Sequence, residues 1–275
     1  MAVRILLIGD IVGKPGRKIV CQALGGLVVR EQIDLVVANA ENVAGGSGLT
    51  PSNYEELVAA GVQAITLGDH IYRRRSIIRI LETHSNIVKP ANYPAKAPGR
   101  DVAVVKTAAD IPVAVISLIG RVFMKPVDCP FTAVERILEQ LDEEVKVILV
   151  DMHAEATSDK QLMGRFLDGR VSAVLGTHTH VPTADETILP AGTAFQCDVG
   201  MTGPYASILG RRFDRVLETT RTFSPTPFDV ATGDVRLCGT IVDVDRSTGR
   251  ATAIRRLCVD EQEAVELANA NISSC

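Results

Sequence analysis

Asp10, Glu41, Asn42, Asp69, His153, His178 and His180 each stand at the end of a short apolar run. Residues 5–9 lead to Asp10, 35–40 to Glu41-Asn42, 65–68 to Asp69-His70, 147–152 to His153, and 173–177 to His178-Thr179-His180. Short runs rich in Val, Ile and Leu read as buried parallel strands. Open α/β sheets bind ligands at the C-terminal ends of such strands. The side chains are therefore expected to converge on one edge of one sheet. Imidazoles mixed with carboxylates suit Zn, Fe, Mn or Ni better than a metal selected by thiolates. The chemistry this implies is metal-assisted hydrolysis at a multinuclear site. A lone acid at a strand end is often only a helix cap, but seven such groups at five strand ends exceed what capping explains. A His-x-His pair closing a strand would put both imidazoles on one side, because strand side chains alternate. Taken alone, His178 and His180 could equally be two polar loop residues.

The elements that must position these groups are legible in outline. Strand 4–9 leads through a Gly-Lys-Pro-Gly turn to a helix near 16–30. Strand 34–40 leads to a glycine-rich loop and then to Thr50-Pro51, where Thr50 suits an N-cap and Pro51 the first helical position. Strand 64–67 precedes a basic helix containing Arg73, Arg74 and Arg75. Segments 101–106 and 112–119 flank Asp110 and read as a hairpin at the far side of the sheet. A helix at 131–142, strand 146–151, a helix near 158–168 and strand 171–175 repeat the alternation. Segments 194–199, 236–245 and 251–259 then read as antiparallel strands. Residues 203–233, carrying Pro204, Pro225 and Pro227, are expected to form a loop or cap beside the site. The expected architecture is a layered α/β sandwich forming a single domain over 1–275.

Hydrophobic content of 46% supports a sizeable core, and with no Trp and 4% aromatics that core must be aliphatic. A net charge of −4 argues against a surface built to coat nucleic acid, which would be basic. No stretch approaches the roughly 18 apolar residues of a membrane span, and the apolar run before Asp10 is too short for a signal peptide. Cys21, Cys129, Cys197, Cys238, Cys258 and Cys275 are scattered without a CxxC pair. They read as reduced packing residues of a cytoplasmic protein. The tail ending in Cys275 reads as mobile.

The segments Gly9-Asp10-Ile11-Val12-Gly13-Lys14-Pro15-Gly16-Arg17, Asn39-Ala40-Glu41-Asn42, Gly68-Asp69-His70, His153-Ala154-Glu155-Ala156-Thr157-Ser158, Gly176-Thr177-His178-Thr179-His180 and Asp198-Val199-Gly200-Met201-Thr202-Gly203-Pro204 resemble, in order, those of the YmdB-type metallophosphoesterases. The resemblance runs from about residue 3 to 258. It implies a calcineurin-like four-layer α/β/β/α sandwich, a dinuclear transition-metal centre and phosphodiesterase activity on 2′,3′-cyclic nucleotides. Iron is the first expectation for the metals, with Mn or Zn as alternatives. Carried over by position, Asp10 and His180 would hold one metal with Asn42 at or beside it, and Glu41 would bridge. Asp69, His153 and His178 would hold the second metal. His70 would stand outside the ligand set as the general acid, while a hydroxide generated by the metals attacks phosphorus. The chain departs from the family at 69, where Gly-Asn-His becomes Gly-Asp-His and a neutral ligand becomes an anion. The expected partner is a small phosphodiester, with no stable nucleic-acid or membrane binding, in a homo-oligomer. Two other functions remain open: a phosphomonoesterase or protein phosphatase, and a metal-bound regulatory protein whose hydrolysis is incidental.

The remaining motifs carry less. Residues 13–17 lack the spacing of a phosphate-binding P-loop and read as a turn opening a helix. Residues 45–48 read as a mobile loop at the pocket rim. Arg73–Arg75 and Arg211–Arg212 read as solvated faces, one of which could reach a substrate phosphate. His84 reads as a helix C-terminal cap. Glu155 and Thr157 are candidates for orienting ligand imidazoles.

Overall fold

The computed structural model describes residues 2–272, so the tail at Cys275 lies outside the described residues. The chain opens with β1 (Ala2–Ile8), β2 (Asp10–Ile11), α1 (Gly13–Glu31), β3 (Leu35–Asn39), α2 (Pro51–Ala59), β4 (Ala64–Thr66) and α3 (Ile77–Thr83). It continues with β5 (Val102–Lys106), β6 (Pro112–Ile119), α4 (Pro130–Gln140), β7 (Val147–His153), α5 (Thr157–Phe166) and β8 (Ala173–Thr177). The last third holds β9 (Thr187–Ile188), β10 (Ala194–Gln196), β11 (Met201–Pro204), α6 (Phe213–Thr222), β12 (Val235–Asp245), β13 (Ala251–Val259) and α7 (Glu261–Ile272). The start of α2 is set as its residues dictate. Thr50 Oγ1 accepts the Asn53 N–H at 3.3 Å, and Pro51 occupies the first turn, where no N–H is needed.

Two sheets result. One has the order β2-β11-β12-β1-β3-β4, with β13 also pairing β12; the other runs β5-β6-β7-β8-β10-β9. Within them β1, β3 and β4 are mutually parallel, as are β6, β7, β8 and β10. Period-two alternation sorts each central strand between two cores. From β1 and β3, Leu6, Ile8, Val36 and Ala38 pack with α1, α2 and α3, whereas Ile5, Leu7, Leu35 and Val37 face the other sheet. From β7, Ile148, Val150 and Met152 pack toward α4 and α5, while Val147 and Leu149 face back into the shared interior. The layers are therefore α/β/β/α, the sandwich expected from the sequence.

Four expectations change. The strands that carry the polar ends belong to both sheets, β1, β3 and β4 to one and β7 and β8 to the other. Stacked sheets, not one sheet edge, bring them together. Residues 71–75 form no basic helix, because only a 3-10 turn spans Ile71–Arg73 before α3 begins at Ile77. Residues 194–196 pair parallel with β8 and antiparallel only with the short β9. Segment 203–233 is more than a loop: it contains α6, an amphipathic helix with no buried residue. Among the described residues no helix is long and apolar enough to cross a membrane.

Candidate metal centre

The break after β1 puts Asp10 beside the ends of β7 and β8, where Asp10 Oδ2 accepts the His178 N–H at 3.0 Å. Glu41 and Asn42 follow β3; Asp69 and His70 follow β4; His153 is the last residue of β7. Gly68 is required between them, since a Cβ there would collide with the His153 ring and the Glu41 carboxylate. Asp10, Glu41, Asn42 and His153 are buried, and His70, His178 and His180 line a cavity of about 250 Å³.

Two groups of donors meet at Glu41. In the first, ligand atoms of Glu41, Asp69, His153 and His178 all lie within 4.8 Å of one another. His153 Nε2 is 3.0 Å from His178 Nδ1, and 3.4 Å from both Asp69 Oδ1 and Glu41 Oε1. In the second, His180 Nε2 lies 3.7 Å from Asp10 Oδ1. Asn42 Nδ2 lies 3.1 Å from Glu41 Oε1, 3.3 Å from His180 Nε2 and 3.5 Å from Asp10 Oδ1. Every sequence-predicted ligand thus joins one cluster of side chains. His70 stands beside it, with Nδ1 2.7 Å from Asn42 Oδ1 and 3.3 Å from Glu41 Oε1.

The imidazoles are set by what their outer nitrogens touch. The Thr177 hydroxyl donates to Asp151 Oδ1 at 2.6 Å, so its oxygen accepts from His153 Nδ1 at 2.8 Å. That leaves His153 Nε2 facing the carboxylates. His180 Nδ1 donates to the Leu209 carbonyl at 3.1 Å, turning Nε2 toward Asp10. Glu155 Oε2 sits 3.2 Å from His178 Nε2, which leaves Nδ1 for the cluster. Such outer partners fix tautomer and ring orientation in metal sites. Glu155 stands where it could orient His178. Thr157 does not, and Thr177 fills that place instead.

The electrostatics favour a cation. Burial, helped by the nearby Glu41 and Asp198 carboxylates, raises the Asp10 carboxyl against the opposing pull of His180 and His153. Burial also acts to raise Glu41 and Asp69, yet His153 and His70 hold Glu41 well below the usual carboxylate range and keep Asp69 lowered. Burial opposes a charge on His153, but Glu41 and Asp69 overcome it and raise its pKa well above normal. His178 is lowered by burial and by His153. His70 is raised by its bond to Glu41. Among the described residues no Lys or Arg forms an ion pair with Asp10, Glu41 or Asp69; their charged partners are imidazoles. These donors therefore fit transition-metal ions.

Several supports escaped the sequence reading. Asp151, 0% exposed inside β7, accepts Thr66 Oγ1 at 2.5 Å and Asn39 Nδ2 at 3.1 Å as well as Thr177. The available signal was an acid interrupting an otherwise apolar strand. Asp198 and Lys160, each with 1% side-chain exposure, form a 2.8 Å ion pair. Asp198 also accepts the Thr179 N–H at 3.0 Å, the Thr179 hydroxyl at 2.7 Å and the Gly200 N–H at 2.8 Å. His178 and His180, on either side of Thr179, have φ of 97° and 66°, so the pair is presented by a left-handed loop and not by strand alternation. Arg211 lines the cavity but spends its guanidinium on the carbonyls of Gly45, Gly46 and Phe228, tying residues 45–48 to the 203–233 segment. His84 occupies the C-cap of α3, with its N–H bonded to Ile80 O.

Residues 6–257 match the model of the YmdB-like protein family. The chain is 42% identical to a 2′,3′-cyclic-nucleotide 2′-phosphodiesterase of Bacillus subtilis, over 94% of this chain and 97% of that one. A crystal structure of a hypothetical protein from Thermus thermophilus superposes with a TM-score of 0.88 at 41% identity, covering 94% of this chain and all of the other. A structure described as a novel phosphatase from Mycoplasma pneumoniae gives the same TM-score at 30% identity, covering 94% of each chain.

Proposed function

The chain belongs to the YmdB-like family, and from that premise we propose that it is a phosphoric ester hydrolase acting on small phosphodiesters, with 2′,3′-cyclic nucleotides first among them. The observation that carries this reading is the buried carboxylate pair Asp10 and Glu41, next to Asp69, with only imidazoles as charged partners among the described residues. Buried charge of that kind calls for cations beside it. Two transition-metal ions suit the donors: Asp10, Asn42 and His180 for one, Asp69, His153 and His178 for the other, Glu41 between them. Iron is the first expectation, with Mn or Zn as alternatives. When bound, such ions acidify water and neutralise charge on phosphoryl oxygens.

The protein's own groups do the rest. Asn42 would ligate through Oδ1, the atom that here meets His70 Nδ1, so its amide exchanges one contact for the other. His70 lines the cavity, where its ring can give a proton to a departing ribose oxygen. Both sheets share the apolar interior between them, which supports reading 1–275 as one domain.

A second reading, phosphomonoester hydrolysis, is favoured by the likeness to the Mycoplasma pneumoniae phosphatase. A third, a metal-bound regulatory protein, is kept by the extra charge of Asp69. The test is a panel of 2′,3′-cyclic AMP, p-nitrophenyl phosphate and a phosphopeptide, run on protein of known metal content. We expect about two metal ions per chain and fastest turnover of the cyclic diester. Faster hydrolysis of the monoesters would select the second reading; a fully loaded protein inert on all three would select the third.

A further inference from the structure

Cys238 and Cys258 belong to neither donor group. They are register partners across the antiparallel pair β12 and β13. Directly opposed antiparallel residues have Cα atoms about 4.5–5.5 Å apart, inside the roughly 4.4–6.8 Å span of disulfides. The sulfurs are already 3.6 Å apart, with the Cys238 thiol directed at Cys258 Sγ. Cys238 is buried at 3% exposure and Cys258 is exposed, so one sulfur can meet a reagent in solvent while the other waits behind it. Around Cys238, the Tyr205 hydroxyl lies 3.1 Å from its sulfur, and the Arg236 guanidinium stacks over the Tyr205 ring at 4.9 Å.

We propose that Cys238 and Cys258 form a modification site, a dithiol oxidised reversibly by a hydroperoxide to a cross-strand disulfide. Cys258 is the attacking sulfur. The hydrogen bond from Cys238 pulls its thiol down to about 7, with Arg236 assisting against burial, so thiolate is available near neutral pH. The Cys258 thiolate attacks one peroxide oxygen; an S–O bond forms, the O–O bond breaks, and the departing oxygen takes up a proton. Cys238 sulfur then attacks Cys258 sulfur. The S–S bond forms, the S–O bond breaks, and the hydroxyl leaves as water with the Cys238 proton. Two electrons pass from the two thiols to the peroxide.

The test treats the purified full-length protein with hydrogen peroxide, blocks remaining thiols, and maps peptides without reduction. The expected product is a Cys238–Cys258 crosslinked peptide that dithiothreitol removes. Cys258 should lose its reactivity toward alkylation about tenfold faster than Cys21, whose thiol is raised by burial and by Glu56. The exposed-side variant Cys258→Ser should leave Cys238 reduced under the same treatment. Cys238→Ala removes both the hydrogen bond and the second sulfur, so Cys258 should oxidise more slowly and stop at the sulfenic acid, which dimedone traps. A disulfide from Cys258 to any cysteine other than Cys238 would overturn the proposal. So would over-oxidation of Cys258 in the unaltered protein while Cys238 stays free.

Discussion

Thr177 decides which nitrogen His153 offers. Its hydroxyl proton goes to Asp151, so its oxygen must accept from His153 Nδ1, and Nε2 is left for the centre. Thr177→Val removes that acceptor. The expected result is a loss of metal affinity of about 10–100-fold, read by competition with a chelator of known affinity; unchanged affinity would show that the hydroxyl does not set the ring. His70 behaves differently, because it lies outside the donor groups. His70→Ala should slow hydrolysis by about 10²–10⁴-fold at unchanged metal content, and a parallel loss of metal would make it a ligand. Asp69 places a carboxylate 3.4 Å from His153 Nε2, where the family resemblance implies a neutral amide. An added anion weakens the Lewis acidity of a metal there, so Asp69→Asn should raise turnover with metal content held; equal or lower turnover would show that the charge costs nothing. The seven side chains that come together were legible because each ends an apolar run. The Asn39, Thr66, Asp151 and Thr177 network was not, because polar residues inside strands follow no period and their partners are remote in sequence.

At the scale of elements, the loop after β8 is held by a buried ion pair. Non-glycine residues in the left-handed region cost of order 1–3 kcal/mol each, and His178 and His180 both adopt it. Asp198 offsets this by gripping Thr179 between them, while Lys160 from α5 balances its charge. Removing one partner of such a pair strands the other. Lys160→Met should therefore destabilise the fold by about 3–5 kcal/mol in denaturant titration, whereas Lys160→Arg should recover part of the loss. A Met variant as stable as the parent would refute the clamp. Sequence reasoning placed the strands and the Thr50 cap well, since periodicity and capping are local. It could not find Lys160, because a lysine on a helix reads as solvated until its burial is known. The same limit misjudged 71–75, where three arginines suggested a helix face and the chain makes only a 3-10 turn.

Over the whole molecule, the centre draws Asp10, Glu41, Asn42 and Asp69 from one sheet and His153, His178 and His180 from the other. Bound cations would then favour the folded state by mass action, as any ligand absent from the unfolded chain does. Chelation should lower the melting temperature of the parent protein, and it should do less to a Glu41→Gln variant that holds metal poorly. Equal shifts in the two would separate stability from the centre. The division between sheets was not legible, since runs of similar composition carry no mark of which sheet they join.

The same division has a consequence for the growing chain. Synthesis delivers Asp10, Glu41, Asn42 and Asp69 well before the three histidines that complete their site. An emerging nascent chain thus holds half a pocket, rich in carboxylate and poor in nitrogen donors, until β7 and β8 have formed and docked. A metal that needs both sets of donors would be taken up only after the two halves have found each other.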